Sequence, residues 1–402
     1  MSEMKSISFV SPSRNNLTYL KWMYNSIRKN LGYVHEILLA DDFSSDGTWE
    51  WLQEVKKKDI NVQIFKNEGP ERKGIVYWYD FLCEKSTNDI VMFFHADMYA
   101  CPNMDKEVVN KLMKGYVVSA TRIEPPLHPE GPEKIVKDFG IEPESFNEQG
   151  LISWLNKERP EKYTRGIFAP WAIHKEDYWK VGGHDKLFAP QSKEDSDIFN
   201  RFHLVGLKFT QTWQGLVYHM TSRGSRFNPL SGGAPGKDSP EWLHTTTKNM
   251  RNFIRKWGTP VLHDEYMMPI VRPKYNVGFV VENCGYEMIK ALEPWCNDIY
   301  GDWVGHKGYH INKYIEEEQP NTDYKLSKKI HTQHTNPTND IVIRFDCEKA
   351  TQDSWNILQN IAVIVADSGE IGVMSLDIFE FEIRNLKTYE KDLILTERDN
   401  TY

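Results

Sequence analysis

Four places along the chain carry acids or imidazoles in patterns that could do chemistry: Asp41–Asp42, His95–Ala96–Asp97, Glu194–Asp195 and His219. Two consecutive carboxylates at a strand end could accept hydrogen bonds from a base imide and ribose hydroxyls, or could cap the next turn, the usual role of acids there. Asp97 could be a hard-metal ligand. A diphosphate leaves more readily once its charge is neutralised, and Mg²⁺ or Mn²⁺ held by one or two carboxylates does this. His219 could add an imidazole ligand better suited to Mn²⁺, or serve only the structure. Glu194–Asp195 could supply a general base, each acid raising the other's pKa. Acids opening a helix also favour its dipole. Arg14 and Lys73 could neutralise phosphate or be solvated surface charges. Trp171, beside Pro170, could stack on a sugar face or sit in the core.

The elements that must position these groups are readable in the hydrophobic pattern. The run Ile90–Phe94 leads into His95 and Asp97 and suits a strand buried on both faces. If that strand continues, His95 and Asp97 point the same way at the mouth of a crevice beyond its carboxyl end. Ser6–Val10, Glu36–Ala40 and Val62–Ile64 read as earlier strands, with helices over Leu17–Ile27, Trp49–Val55 and Ile75–Leu82. Alternation of this kind predicts a doubly wound α/β sheet. A helix near Asp105–Met113 and a strand near Tyr116–Thr121 follow. Glu124–Pro160 then breaks the pattern, an irregular insertion bounded at about 122–163. Gly166–Ile173 resumes regular structure. Glu194 opens a helix, and short strands at Lys208–Thr212 and Leu216–Tyr218 deliver His219.

The 402 residues allow two domains, expected at 1–268 and 274–402. The second reads as a small α/β domain, with strands at Val277–Val281, Asp340–Phe345 and Ile371–Phe381 and helices near Tyr286–Leu292 and Ser354–Ile364. A ferredoxin-like split βαβ would suit that order. A net charge of -8 argues against nucleic acid as a partner. Five scattered cysteines without CxxC spacing, no signal-peptide-like start and no membrane-spanning run lead to the expectation of a cytoplasmic protein.

Taken in order, Ser11-Pro-Ser-Arg-Asn15, Asp41-Asp-x-Ser-Ser-Asp-Gly-Thr48, Asn67-x-Gly69, x-x-Asp97, Glu194-Asp195 and His219 resemble the family 2 glycosyltransferases of the GT-A fold, over about residues 5–257. The resemblance implies a nucleotide-diphospho-sugar transferase with a Rossmann-like sheet and inverting transfer to an acceptor hydroxyl. The expected donor is a UDP-sugar and the expected cofactor Mn²⁺ or Mg²⁺. The acceptor would be a glycan, a protein or a lipid-linked sugar. Carried over by position, Ser11, Arg14 and Asp42 line the nucleotide pocket, with Asp41 beside them and Lys73 facing ribose or phosphates. Asp97 matches the last acid of the Asp-x-Asp metal motif and His219 completes the metal site. Asp195 is the base and Glu194 its companion. His95 stands where the first acid of Asp-x-Asp is common and is grouped with the donor contacts, and Trp171 with the acceptor side. The rival reading is a non-catalytic nucleotide-sugar or glycan-binding protein on the same scaffold. A nucleotidyltransferase would more naturally show a glycine-rich, basic loop after the first strand, which Ser11–Asn15 is not.

Overall fold

The computed structural model describes residues 6–224, 226–303 and 306–395. Residues up to Thr246, with His263–Ile270, pack as one compact unit; Thr247–Leu262 with Val271–Ile394 form a second.

The first unit opens with β1 (Ile7–Ser13), α1 (Leu17–Asn30), β2 (Glu36–Asp41), α2 (Thr48–Lys58), β3 (Val62–Lys66), α3 (Gly74–Lys85) and β4 (Ile90–Phe93). It continues through β5 (Met98–Ala100), α4 (Met104–Val109), β6 (Tyr116–Glu124), β7 (Ile135–Val136), α5 (Glu148–Glu158), β8 (Tyr163–Thr164), β9 (Trp171–His174) and α6 (Lys175–Trp179). Next come α7 (Glu194–Leu204), β10 (Lys208–His219) and α8 (Pro240–Trp257), within which the division between units falls. The ten strands form one sheet, ordered β3-β2-β1-β4-β9-β6-β10-β5, with β7 on β6 and β8 on β10. All four residues of β4 are buried, as the uninterrupted apolar run requires of a central strand.

Strand direction explains where the polar groups gather. β1 pairs in parallel with β2 and β4, and β6 with β10. Antiparallel β9 lies between β4 and β6, so those two also run the same way. Five strands therefore end at one edge, delivering Ser13, Asp41, Phe93, Glu124 and His219. In open α/β sheets this edge is where ligands bind.

Three expectations need correction here. β4 stops at Phe93 and does not carry His95 and Asp97 on one strand face; the Met98 N–H donates to the His95 carbonyl at 3.3 Å, turning the chain back into β5. β10 is one strand, with a pairing irregularity between Thr212 and Leu216 where two strands were expected. The insertion does hold a short helical piece around Leu151–Leu155, within α5, but it is more ordered than an irregular loop. Phe139, Leu151 and Leu155 pack with Tyr99, Tyr218 and Met220 in a separate core, because the apolar face of α5 needs cover.

The second unit contains β11 (Val277–Glu282), α9 (Tyr286–Leu292), β12 (Asp298–Gly301), α10 (His306–Glu318), α11 (Leu326–Lys329), β13 (Ile330–Thr332) and β14 (Ile341–Asp346). It closes with α12 (Gln352–Gln359), α13 (Ile361–Ser368), β15 (Gly372–Leu376) and β16 (Phe379–Ile383). Its sheet order is β13-β12-β11-β14-β16-β15, with the first four strands parallel. That rules out the ferredoxin-like sandwich, which the missed strands β12 and β13 had made attractive. The expected strand at Ile371–Phe381 is a hairpin turning at Asp377, whose φ is +53°. The expected helix over Ser354–Ile364 is divided at Asn360. All five cysteines are free and buried, and no helix among the described residues is long and apolar enough to cross a membrane.

Candidate active site

A cavity of about 440 Å³ opens at the carboxyl edge of the first sheet. Its floor is made by strand ends and its walls by the starts of α3, α7 and α8. Asp42, just past β2, is 3 % exposed and held from several sides. One carboxylate oxygen accepts from the Asn67 amide at 2.9 Å and the Lys73 N–H at 3.0 Å, the other from the Gly74 N–H at 2.8 Å. Gly74 is required: its φ is +83°, and a Cβ would lie 2.3 Å from the Pro190 carbonyl oxygen. Arg14 and Arg72 reach the cavity from β1 and the α3 approach, and both pair with Glu241 on α8, at 3.1 and 2.7 Å.

Across the cavity His95, Asp97 and His219 converge, each offering a ligand atom within 4.8 Å of the others. The pairing of β5 with β10 causes this. It sets Met98 opposite His219, and the Met220 N–H donates to the Asp97 carbonyl at 3.0 Å. His219 Nδ1 lies 2.8 Å from Glu124 Oε1, leaving Nε2 3.5 Å from Asp97. A carboxylate behind one imidazole nitrogen, with the other turned toward a cluster of donors, is how metal-bound histidines are oriented. Glu124 is itself anchored by Arg122 and Lys134, each at 3.1 Å.

The electrostatics agree with a cation site. Burial resists a charge on His219, yet the carboxylates of Asp97 and Glu124 outweigh it and raise the imidazole to about 9. Burial likewise resists ionisation of Asp97, but His219 and His95 bring it down to about 2. Burial holds His95 below the ordinary histidine range, in the neutral form that can ligate. Two imidazoles and one carboxylate suit Mn²⁺ or a similar transition ion better than Mg²⁺, which favours oxygen.

Glu194 and Asp195 begin α7 on the third wall. Ser192 and Lys193 ahead of them are both left-handed, with φ of +79° and +72°. Consecutive non-glycine residues in this region store strain of the kind found at functional sites. Burial, with the Asp195 charge beside it, pushes the Glu194 carboxyl up to about 8. Among the cavity-lining atoms buried without a hydrogen-bond partner among the described residues are Ser13 Oγ, Arg14 Nε, Arg72 Nε, Tyr79 Oη and Glu194 Oε2.

Residues 8–181 match the model of Glycosyl transferase family 2. Over these residues the chain is similar to that family. Its sheet is the Rossmann-like GT-A arrangement. The match ends before Glu194, Asp195 and His219, which line the same cavity. Among solved structures, one of GalNAc-T7 with UDP, GalNAc and Mn²⁺ is 17% identical, with a TM-score of 0.47, over 63% of this chain and 49% of that one. Residues 1–349 of S. aureus TarS are 15% identical, with a TM-score of 0.39, over 53% of this chain and 60% of that one. The alignments thus span about half of each of these relatives.

Within the first unit, Arg14, Asp42, His95, Asp97, Glu194, Asp195 and His219 all line the cavity. Four other expected residues do not. Ser11 lies two residues deeper in β1 than Ser13, which takes its place, and is 1 % exposed. Asp41 turns away and accepts the Ser44 N–H at 3.0 Å, the turn-capping alternative. Lys73 sets its ammonium 4.3 Å from the centre of the Tyr77 ring, and its neighbour Arg72 enters the cavity. Trp171 is core: 1 % exposed, it stacks on Phe93 with ring centres 4.0 Å apart and meets no acceptor. Sequence reasoning also missed Glu124 and Tyr79. Glu124 had a signal, an acid closing a strand as Asp42 does. Tyr79 had none, since its helical spacing reads as core.

Proposed function

We propose that this protein is an inverting glycosyltransferase that moves a sugar from a UDP-sugar to an acceptor hydroxyl with a divalent metal, Mn²⁺ before Mg²⁺. The observation that carries this reading is the meeting, in one cavity, of the His95–Asp97–His219 cluster with the Glu194–Asp195 pair. A site for binding alone has no need of an acid pair beside a cation cluster.

Asp42, with Arg14 and Arg72, would hold the nucleotide, the guanidiniums countering phosphate charge as Glu241 gives them up. His95, Asp97 and His219 would hold the metal, which when bound supplies Lewis-acid neutralisation of the departing diphosphate. Asp195 would take the proton from the acceptor hydroxyl as its oxygen closes on the anomeric carbon from the face opposite the diphosphate. Glu194, kept largely protonated by burial, would leave the negative charge of the pair on Asp195. The insertion and the segment before β9 would shape the acceptor side.

The test is thermal unfolding of the whole chain against UDP, GDP and their sugar conjugates, each with Mn²⁺ or EDTA. A ligand at one hundred times its Kd stabilises by about 2.7 kcal/mol, a visible shift in midpoint. A shift for one nucleotide that requires Mn²⁺, followed by nucleotide release on adding acceptors, is the expected result. No shift with any nucleotide would reject the reading.

A further inference from the structure

Tyr79 is the cavity residue that the transfer chemistry above leaves unused. It projects from α3, four residues after Ile75, which also lines the cavity. Its ring is fixed: Phe93 meets its face edge-on with centres 5.0 Å apart, and the His184 ring lies nearly parallel at 5.6 Å. The His95 ring is also near parallel, at 6.5 Å. The residue is 1 % exposed, yet its hydroxyl has no hydrogen-bond partner among the described residues. Leaving a buried hydroxyl unpaired is costly, and native structures rarely do so without a reason. Glu194 Oε2 is orphaned in the same cavity. The phenol can donate, and a carboxyl oxygen can accept. A single alcohol, which donates and accepts at once, satisfies both.

We propose that Tyr79 and Glu194 together hold one hydroxyl group of the transferred sugar, Tyr79 donating to its oxygen and Glu194 accepting its hydrogen, and thereby select donors that carry it. The inference rests on the glycosyl-transfer reading and adds the part of the donor that is read. The position suits a sugar. Tyr79 feels the charges of Asp195, Glu194 and Asp97, lines the same cavity as all three, and its ring neighbours that of His95. Those acids, with burial, keep the phenol protonated and so a donor. A diphosphate oxygen has no hydrogen to give Glu194, and an apolar group would satisfy neither atom.

The experiment is calorimetric titration of the full chain with Mn²⁺ and UDP, then with UDP-glucose, UDP-galactose and their N-acetylamino counterparts, for the native protein and Tyr79→Phe. The tightest of these donors is followed by its monodeoxy analogues. Tyr79→Phe should bind UDP as the native protein does and the full donor roughly 10- to 100-fold more weakly. One deoxy analogue should bind both proteins equally. Without ligand the variant should unfold at a higher temperature, since an unpaired buried hydroxyl is gone; a residue that only packs would not produce that combination. Equal loss of UDP and UDP-sugar affinity would place the hydroxyl on the diphosphate and overturn the proposal, as would unchanged donor binding. A native protein that binds none of these nucleotides would instead sink the transferase reading itself.

Discussion

Both units contain a sheet with three strands wound one way and a fourth the other, β3-β2-β1-β4 and β13-β12-β11-β14, yet they place buried charge at opposite edges. In the second unit it gathers at the amino ends of the strands. Glu293, ahead of β12, accepts from Arg255 in bidentate fashion, from Lys329 ahead of β13, and from the Tyr314 hydroxyl at 2.7 Å. Arg255 and Lys329 there share Glu293 as their counter-ion. At the carboxyl edge of the same sheet the Asn283 amide donates to Asp346 at 3.0 Å. In the first unit the charge lies at the carboxyl edge, faces a cavity, and leaves Tyr79 and Glu194 unsatisfied. A shared winding therefore does not bring a shared site. What separates a site from a brace is whether the polar groups are already spent on one another.

This contrast can be broken by mutation. The largest effect is expected from Asp195→Asn, which should cut transfer by about 10³- to 10⁴-fold while UDP–Mn²⁺ affinity stays near native; steady-state turnover with calorimetry reads both. Glu293→Ala, which strands Arg255 and Lys329 without their carboxylate, should cost about 3–5 kcal/mol in chemical denaturation and leave UDP affinity unchanged. A large loss of nucleotide binding in that variant would mean the brace is part of the site. Glu124→Gln should weaken Mn²⁺ about 10- to 100-fold through His219, with little change in the fold, as followed by the paramagnetic signal of free Mn²⁺.

The smallest effect is a pH dependence. The folded pKa of Glu194, about 8, lies above the ordinary carboxyl value of 4.5, so the folded state holds the extra proton. Its contribution to stability is present in full below pH 4.5 and is lost as pH rises toward 8. The midpoint of the ligand-free protein should fall across that window, and Glu194→Gln should flatten the slope. An unchanged slope would mean that the carboxyl is ionised in the folded protein.

Much of this was legible before any coordinates. Unbroken apolar runs mark β2 and β4, and their buried environment admits little else. Acids at strand ends marked Asp42, Asp97 and the α7 start. The choice between neighbours was not legible: Ser13 over Ser11, Asp42 over Asp41, Arg72 over Lys73. Each depends on where a strand stops or how a turn rotates, and no local preference encodes that. Trp171 shows the same limit, because a tryptophan beside a proline looks alike in a core and at a sugar. The cation cluster was half legible. Both ends were named, but the reversal at His95–Met98 and the β5–β10 pairing that brings them together are long-range facts. In the second unit β12 and β13 are four and three residues long, too short for their pattern to stand out.

The pairing of Met98 with His219 has a consequence for the making of the protein. A nascent chain that has emerged only through β9 already possesses β1 to β4 and the nucleotide-facing Asp42, but it lacks α7 and β10. The acid pair waits for synthesis to pass residue 195, and the third donor of the cation cluster for residue 219. On the proposed function, competence for transfer therefore arrives with a single late strand, before the second unit has been made.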